Sequence, residues 1–287
     1  MEPVRGSAAA WDGHLLLVHE NEHQRRAGVA EWVRRGLDVR AKILYIERPD
    51  EPAARSLRSI VRQLGASAQE AVERGQLQVF CADDERVFDA DWQRGVVQRA
   101  LADGYPAVRW ADEAATAWRV MARDAHDSRE WAADELCRSG QVSVLCQYPA
   151  DLMEATMQLV CAMHGGGVRG ALMRTTPVRG GLAVVGEVDW SNARLLHSVL
   201  AALCVATPAR QEAFVLDLAD LTFIDVAGVR ALVSGTSAHR ATHGVVSLRA
   251  VRPAVLRLLE MLDFDDDGGF SITEAGAPDG PRAQAGA

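Results

Sequence analysis

Four side chains have the chemistry to meet a ligand near neutral pH: His14, His19, Cys146 and Tyr148. An imidazole can bind a metal or move a proton, and a thiol is nucleophilic once it ionises. Cys146 and Tyr148 are two residues apart on a predicted strand, so they share a face of the sheet. His14 and His19 are five apart and would face opposite ways on an unbroken strand, a poor geometry for a metal pair. His23 follows His19 by about one helical turn, but no third ligand lies near them in sequence, and no metal site is expected. If His14, Cys146 and Tyr148 meet at the ends of neighbouring strands, they can line a small-ligand pocket. Cys146 would be reactive there if His14 lowered its pKa. For each of these residues a structural place in the sheet is the competing reading.

Other chemistries fail on inspection. A phosphate loop needs G-x-x-x-x-G-K-[ST], but the single lysine, Lys42, lies in Arg40-Ala41-Lys42-Ile43. Asp112-Glu113 resembles the acidic pair of an ATPase, but without that loop it reads as a solvated helix start. Gly165-Gly166-Gly167 leads into no dinucleotide signature and reads as a linker. No G-x-S-x-G elbow presents a nucleophile, so no catalytic residue is assigned and no enzyme is expected. One match is sharper. From Asp263 to Glu274, oxygens fall at positions 1, 3, 5, 9 and 12 of an EF-hand-type calcium loop, with glycine at 6. Gly276, Pro278 and Gly280 replace the exiting helix, so the segment also reads as a turn into a final strand over 270–273. Calcium at this loop is the one cofactor considered.

The elements that must position these groups alternate regularly. Short apolar runs at 15–18, 43–46, 77–80, 107–110 and 142–146 are separated by helical patterns over 25–36, 52–75, 89–104, 114–140 and 151–161. That alternation predicts a parallel sheet covered on both faces. After the triple glycine, strands are expected at 171–175, 182–186, 214–218 and 245–249, with helices at 194–205, 227–240 and 253–262. The segment 165–181 holds six glycines and should let two domains re-dock. Among 287 residues, 48% are hydrophobic and 24% charged, and the net charge is −8. Neither half is basic, which disfavours nucleic acid or an anionic membrane as a partner. Five scattered cysteines without a CxxC, and an N-terminus without an apolar core segment, predict a reduced, cytoplasmic protein.

The second half resembles a STAS domain, the fold of anti-sigma-factor antagonists and sulfate-transporter tails. The matching residues are Gly186-Glu187-Val188-Asp189, the run Val215-Leu216-Asp217-Leu218-Ala219-Asp220-Leu221-Thr222-Phe223-Ile224-Asp225-Val226-Ala227-Gly228, then Gly244-Val245-Val246-Ser247-Leu248 and Leu262-Asp263. The resemblance implies a small mixed sheet with helices mainly on one face. It also implies a partner such as an anti-sigma factor or serine-kinase-type regulator. In that family a phosphorylated serine often follows the aspartate of the F-I-D segment, and here that position is Val226. The implied contact surface is Asp225, Val226, Ala227, Gly228 and Arg230, with Asp225 also capping the helix that follows.

The first half is similar to the MEDS domain, a sensory module of regulators in one-carbon metabolism and in many actinobacteria. Gly13-His14, the strand over 42–46 and Leu145-Cys146-Gln147-Tyr148 carry the likeness. It implies a fold related to RecA-type ATPases without their phosphate loop. Five positions after the histidine the family usually has an aromatic, and here His19 stands there.

Together these readings predict an α/β chain: a RecA-like parallel sheet flanked by helices, then a smaller STAS-like domain with a mixed sheet. The expected boundaries are 12–165, 166–275 and a disordered tail at 276–287. The expected function is a bacterial signalling adaptor that senses an unknown small ligand and acts on transcription through its protein partner, with a homodimer as one further assembly. The rival readings are a degenerate RecA-like nucleotide binder or enzyme and a purely structural assembly protein.

Overall fold

In the first unit, Met1–Ala171, apolar runs too short for helices pair side by side. The computed structural model describes residues 12–114, 116–117, 123–206, 213–242, 244–264 and 269–275. Among the described residues its strands are β1 (His14–His19), β2 (Lys42–Glu47), β3 (Leu77–Cys81), β4 (Val108–Glu113), β5 (Val142–Pro149) and β6 (Val168–Arg169). They lie in the order β6-β1-β5-β4-β2-β3, and every pairing is parallel. The helices are α1 (Glu22–Asp38), α2 (Leu57–Leu64), α3 (Ala66–Glu73), α4 (Ala90–Ala102), α5 (Arg123–Cys137) and α6 (Glu154–Met163). This is the helix-flanked parallel sheet that the alternation predicts.

Register fixes which side chains meet. Leu16 pairs with Cys146, which pairs with Asp112. Side chains alternate along each strand, so His14, Leu16, Trp110, Asp112, Val144, Cys146 and Tyr148 share one face. Leu15, Leu17, His19, Ile43, Tyr45, Ala111, Leu145 and Gln147 occupy the other. Trp32, Val29, Leu57 and Ile60 pack with the apolar members of this second face as one buried core. The first face is instead covered by α5, which packs on β1 and β5.

Three expectations need correction. The helix expected over 52–75 is two helices that meet at Gly65, where φ is +89° and a side chain would be strained. Asp112 does not begin a solvated helix: β4 continues through Glu113, and Asp112 is 1% exposed. The triple glycine is not a free linker. Gly165 and Gly166 have positive φ at the end of α6, Gly167 accepts a hydrogen bond from Leu16 N, and β6 then pairs with β1.

The second unit, Leu172–Ala287, holds a mixed sheet, as the STAS resemblance implies. Its strands are β7 (Met173–Val178), β8 (Gly181–Val188), β9 (Phe214–Asp217), β10 (Leu221–Ile224), β11 (Val246–Val251) and β12 (Phe270–Glu274). β7 and β8 form an antiparallel hairpin, and β8 pairs in parallel with β9 near its start and with β10 near its end. β11 lies between β9 and β12, parallel to both. The helices are α7 (Ala193–Ala206), α8 (Val226–Gly235), α9 (Ser237–Ala241) and α10 (Pro253–Met261). The helix expected over 227–240 is thus split at Thr236, and β10 is a strand the apolar runs did not reveal. Gly186 has φ +95°, and a Cβ there would collide with the Leu172 carbonyl. The expected tail, 276–287, lies outside the described residues.

Candidate functional site

On the sheet face opposite the main apolar core, buried polar side chains from four elements converge. His14 opens β1, held there because Val144 N donates to the Gly13 carbonyl. Cys146 and Tyr148 come from β5, Glu130 from α5, and His164 from the residue that ends α6. All five are buried. His14 Nε2 lies 3.1 Å from Glu130 Oε2, and the Cys146 thiol donates to the same oxygen at 3.3 Å. Cys146 Sγ is 3.6 Å from His14 Nε2. His164 Nε2 is 3.5 Å from Glu130 Oε2, and the His14 and His164 rings are tilted by 34° with centroids 4.0 Å apart. The expected grouping of His14, Cys146 and Tyr148 is therefore present, around a carboxylate that sequence reasoning did not single out.

The other oxygen of Glu130 is held separately. Tyr148 Oη donates to Oε1 at 3.0 Å, and His126 Nε2, one helical turn before Glu130, lies 3.3 Å from it. Arg129 Nη1 is 3.6 Å away, while Arg129 Nη2 pairs with buried Asp112. Burial opposes the carboxylate charge, yet the His14 hydrogen bond and the nearby Arg129 guanidinium hold Glu130 well below the usual carboxylate range. Burial and Glu130 push the Cys146 thiol well above its ordinary value and also raise Tyr148. The condition for a reactive Cys146, a pKa lowered by His14, is therefore not met. Burial and the neighbouring His14 lower His164 to about 3, so its ring is neutral.

His19 does not join this group. It sits on the opposite face at the end of β1, where it lines an open cavity of about 400 Å³ with Glu20, Glu22, Arg55 and Asp151. Burial and the Arg25 guanidinium lower its pKa to about 4. Arg25 is itself buried behind the cavity, donating to Glu22, Tyr45 and Gln147.

Sequence reasoning missed Glu130, His126, Arg129 and His164. The legible signal was His126-x-x-x-Glu130, a spacing that puts both side chains on one helical face. His164 stands immediately before the triple glycine.

In the second unit Asp225 caps α8 as expected: its Oδ1 accepts from Gly228 N at 2.8 Å. Its Oδ2 accepts from Trp190 N at 2.9 Å, which ties the loop after β8 to the start of α8. Val226 is the first residue of the helix and is 40% exposed; Trp190 is 79% exposed. Arg230 is exposed, Ala227 half-buried, and Gly228 buried against Ile224 and Val188. A groove of about 570 Å³ beside α8 is lined by Val226, Arg230, Val233, Leu262, Phe264 and Phe270, among others. In the considered calcium loop, residues 265–268 lie outside the described residues, and Glu274 falls in β12.

Comparison with known proteins bears on both units. Residues 13–164 match the MEDS family, the methanogen/methylotroph, DcmR sensory domain. Residues 171–274 match a family described as Mlab, STAS domain. No curated protein matches the chain. Among solved structures, the flagellar accessory protein FlaH from Methanocaldococcus jannaschii is similar at 8% identity, with a TM-score of 0.37, covering 59% of this chain and 74% of that one. A sensory domain joined to a STAS domain is the composition of a signalling or regulatory protein. With more than half its length matched by the first of these families, the chain belongs to the MEDS family and carries a STAS domain after its sensory domain.

Proposed function

We propose that this protein is a non-catalytic signalling adaptor: its MEDS domain senses a small ligand, and its STAS domain binds an anti-sigma factor or serine-kinase-type regulator without phosphorylation at the usual position. The observation that carries this reading is Val226. It is exposed at the first position of α8, where the STAS resemblance calls for a phosphorylated serine, and it has no hydroxyl to receive phosphate. Exposed Trp190, tied to the cap residue Asp225, extends the apolar character of that surface. Such a surface suits constitutive or ligand-controlled docking, because its apolar character does not change with kinase activity. A ligand shifts such a system only through different affinity for two states. Its effect must therefore appear as a change in partner affinity.

The test is to identify the partner by co-purification and mass spectrometry from the native cytosol, and then to measure its affinity for variants. Val226→Asp places an unpaired charge in an apolar contact and should weaken binding by about 2 kcal/mol, roughly thirtyfold, with the fold intact by circular dichroism. Val226→Ser should accept phosphate from a bound serine kinase, whereas the native chain should accept none at position 226. Unchanged affinity of Val226→Asp would mean that the partner docks elsewhere, and stoichiometric phosphate on exposed Thr222 would overturn the unswitched reading.

A further inference from the structure

We propose that His14, Glu130, Cys146 and His164 form a four-coordinate site for a divalent transition-metal ion of borderline softness, zinc foremost. This departs from the expectation that no metal site exists. It also stands apart from the adaptor reading, because it concerns neither the STAS surface nor its partner.

The geometry is that of a coordination shell. One ligand atom from each residue lies within 4.8 Å of every other. Four of the spacings are 3.1, 3.3, 3.5 and 3.6 Å. A tetrahedron with Zn–N, Zn–O and Zn–S bonds of about 2.0–2.3 Å has edges of roughly 3.3–3.8 Å. Such crowding without an ion at the centre is poorly satisfied. His164 Nδ1 lies 2.8 Å from the Val160 carbonyl, which fixes its proton on that nitrogen. Nε2 is then a bare lone pair, buried without a hydrogen bond. It faces an oxygen of the Glu130 carboxylate, which is also a lone-pair donor. A cation between the two converts this opposition into two bonds.

The surroundings match as well. A ligating histidine ordinarily donates its second N–H to a carbonyl or carboxylate, and a ligating carboxylate is itself hydrogen-bonded. Val160 serves His164 in this way, whereas His14 Nδ1 is buried without such a partner, and Tyr148 with His126 engages Glu130 Oε1, leaving Oε2 for the ion. Charge balances too: a divalent ion offsets one carboxylate and one thiolate, while Arg129 and Asp112 neutralise each other nearby. Two imidazoles, a thiolate and a single carboxylate suit zinc or cobalt(II), and offer too few oxygens for calcium or magnesium. Four protein ligands make a closed site, the kind that holds elements together rather than one that presents a water for catalysis. Here it would pin α5 and α6 to β1 and β5.

The experiment uses the full chain, stripped with chelator and titrated with Co²⁺ and then Zn²⁺. One equivalent of cobalt should give the visible bands of a tetrahedral centre and a sulfur-to-cobalt charge-transfer band, and zinc should displace it. Cys146→Ser should lose the charge-transfer band, whereas Cys81→Ser, altering an exposed thiol on β3, should keep it. His164→Gln and Tyr148→Phe should each weaken affinity tenfold or more, the second through Glu130 alone. Circular dichroism separates lost ligation from lost folding, and the native chain's spectrum decides the matter if a variant does not fold. Absence of stoichiometric cobalt binding by the folded native chain, or a charge-transfer band that survives Cys146→Ser, would overturn the proposal.

Discussion

Replacing Arg129 by leucine removes one partner of a charge pair in which neither member reaches solvent. The side chains of Arg129 and Asp112 are 4% and 1% exposed. After the substitution the Asp112 carboxylate remains buried on β4, under α5, with its cation gone. Breaking a buried pair from one side costs about 3–5 kcal/mol, since the surviving charge keeps its desolvation penalty and loses its compensation. Arg129 also flanks Glu130 at 3.6 Å, which places the loss at the upper part of that range. For a unit of this size, the change corresponds to roughly 6–20 °C in melting temperature. The assay is urea denaturation followed by tryptophan fluorescence and circular dichroism, comparing the native chain, Arg129→Leu and Arg129→Leu/Asp112→Asn. The double variant should recover a large part of the loss, because no buried charge is left without its partner. A single-variant loss below about 1 kcal/mol would refute the reasoning, as exposed pairs cost that little. It would mean that Asp112 finds solvent or is neutral in the folded chain.

Three other perturbations separate local effects. Asp225→Ala removes the cap of α8 and the anchor for Trp190 N, and should cost about 1–2 kcal/mol by thermal melting without abolishing the fold. Gly186→Val puts a side chain at a positive φ against the Leu172 carbonyl; it should lower the stability of the second unit and leave that of the first unchanged, as hydrogen exchange would report. His19 has a folded pKa of about 4 against an ordinary 6.5, so the unfolded chain binds the extra proton in that interval. Its contribution to stability is therefore intact above pH 6.5 and is lost as pH falls toward 4, by up to about 1.4 kcal/mol per pH unit. His19→Gln should flatten that part of the stability-versus-pH curve, and an unaltered curve would place the titration elsewhere.

Much of the architecture was legible because it rests on local signals. A short, β-branched apolar run between helical patterns reads as a covered strand, and β1 to β5 all began as short apolar runs. What failed were the places where a local rule met a tertiary compensation. Asp112 looked solvated because a lone carboxylate pair after an apolar run usually is. The strand instead continues because α5, whose first described residue is eleven positions further on, supplies Arg129. The triple glycine looked like a linker because glycine favours flexibility, yet the β6 pairing needs those left-handed turns to bring the chain back beside β1.

The same distinction explains why half of the buried cluster was visible. His14, Cys146 and Tyr148 lie on neighbouring strands, and strand parity alone puts Cys146 and Tyr148 on a common face. Register then adds His14, since it pairs with Val144 and so aligns the even-numbered positions of β1 and β5. Glu130 and His164 reach that face from two helices, and no spacing rule links a residue on β1 to one 116 positions away. Their chemistry could have been inferred only by asking what buries His14. A histidine and a thiol on a covered sheet face need a polar partner from the covering helix, and α5 offers His126 and Glu130 one turn apart. A buried site of this kind is specified jointly: the strands fix two corners by pairing, and the helices must then place the remaining ligands within hydrogen-bonding reach. Sequence patterns that govern one element at a time reveal the first half of such a site, and the packing of α5 and α6 on the sheet supplies the second.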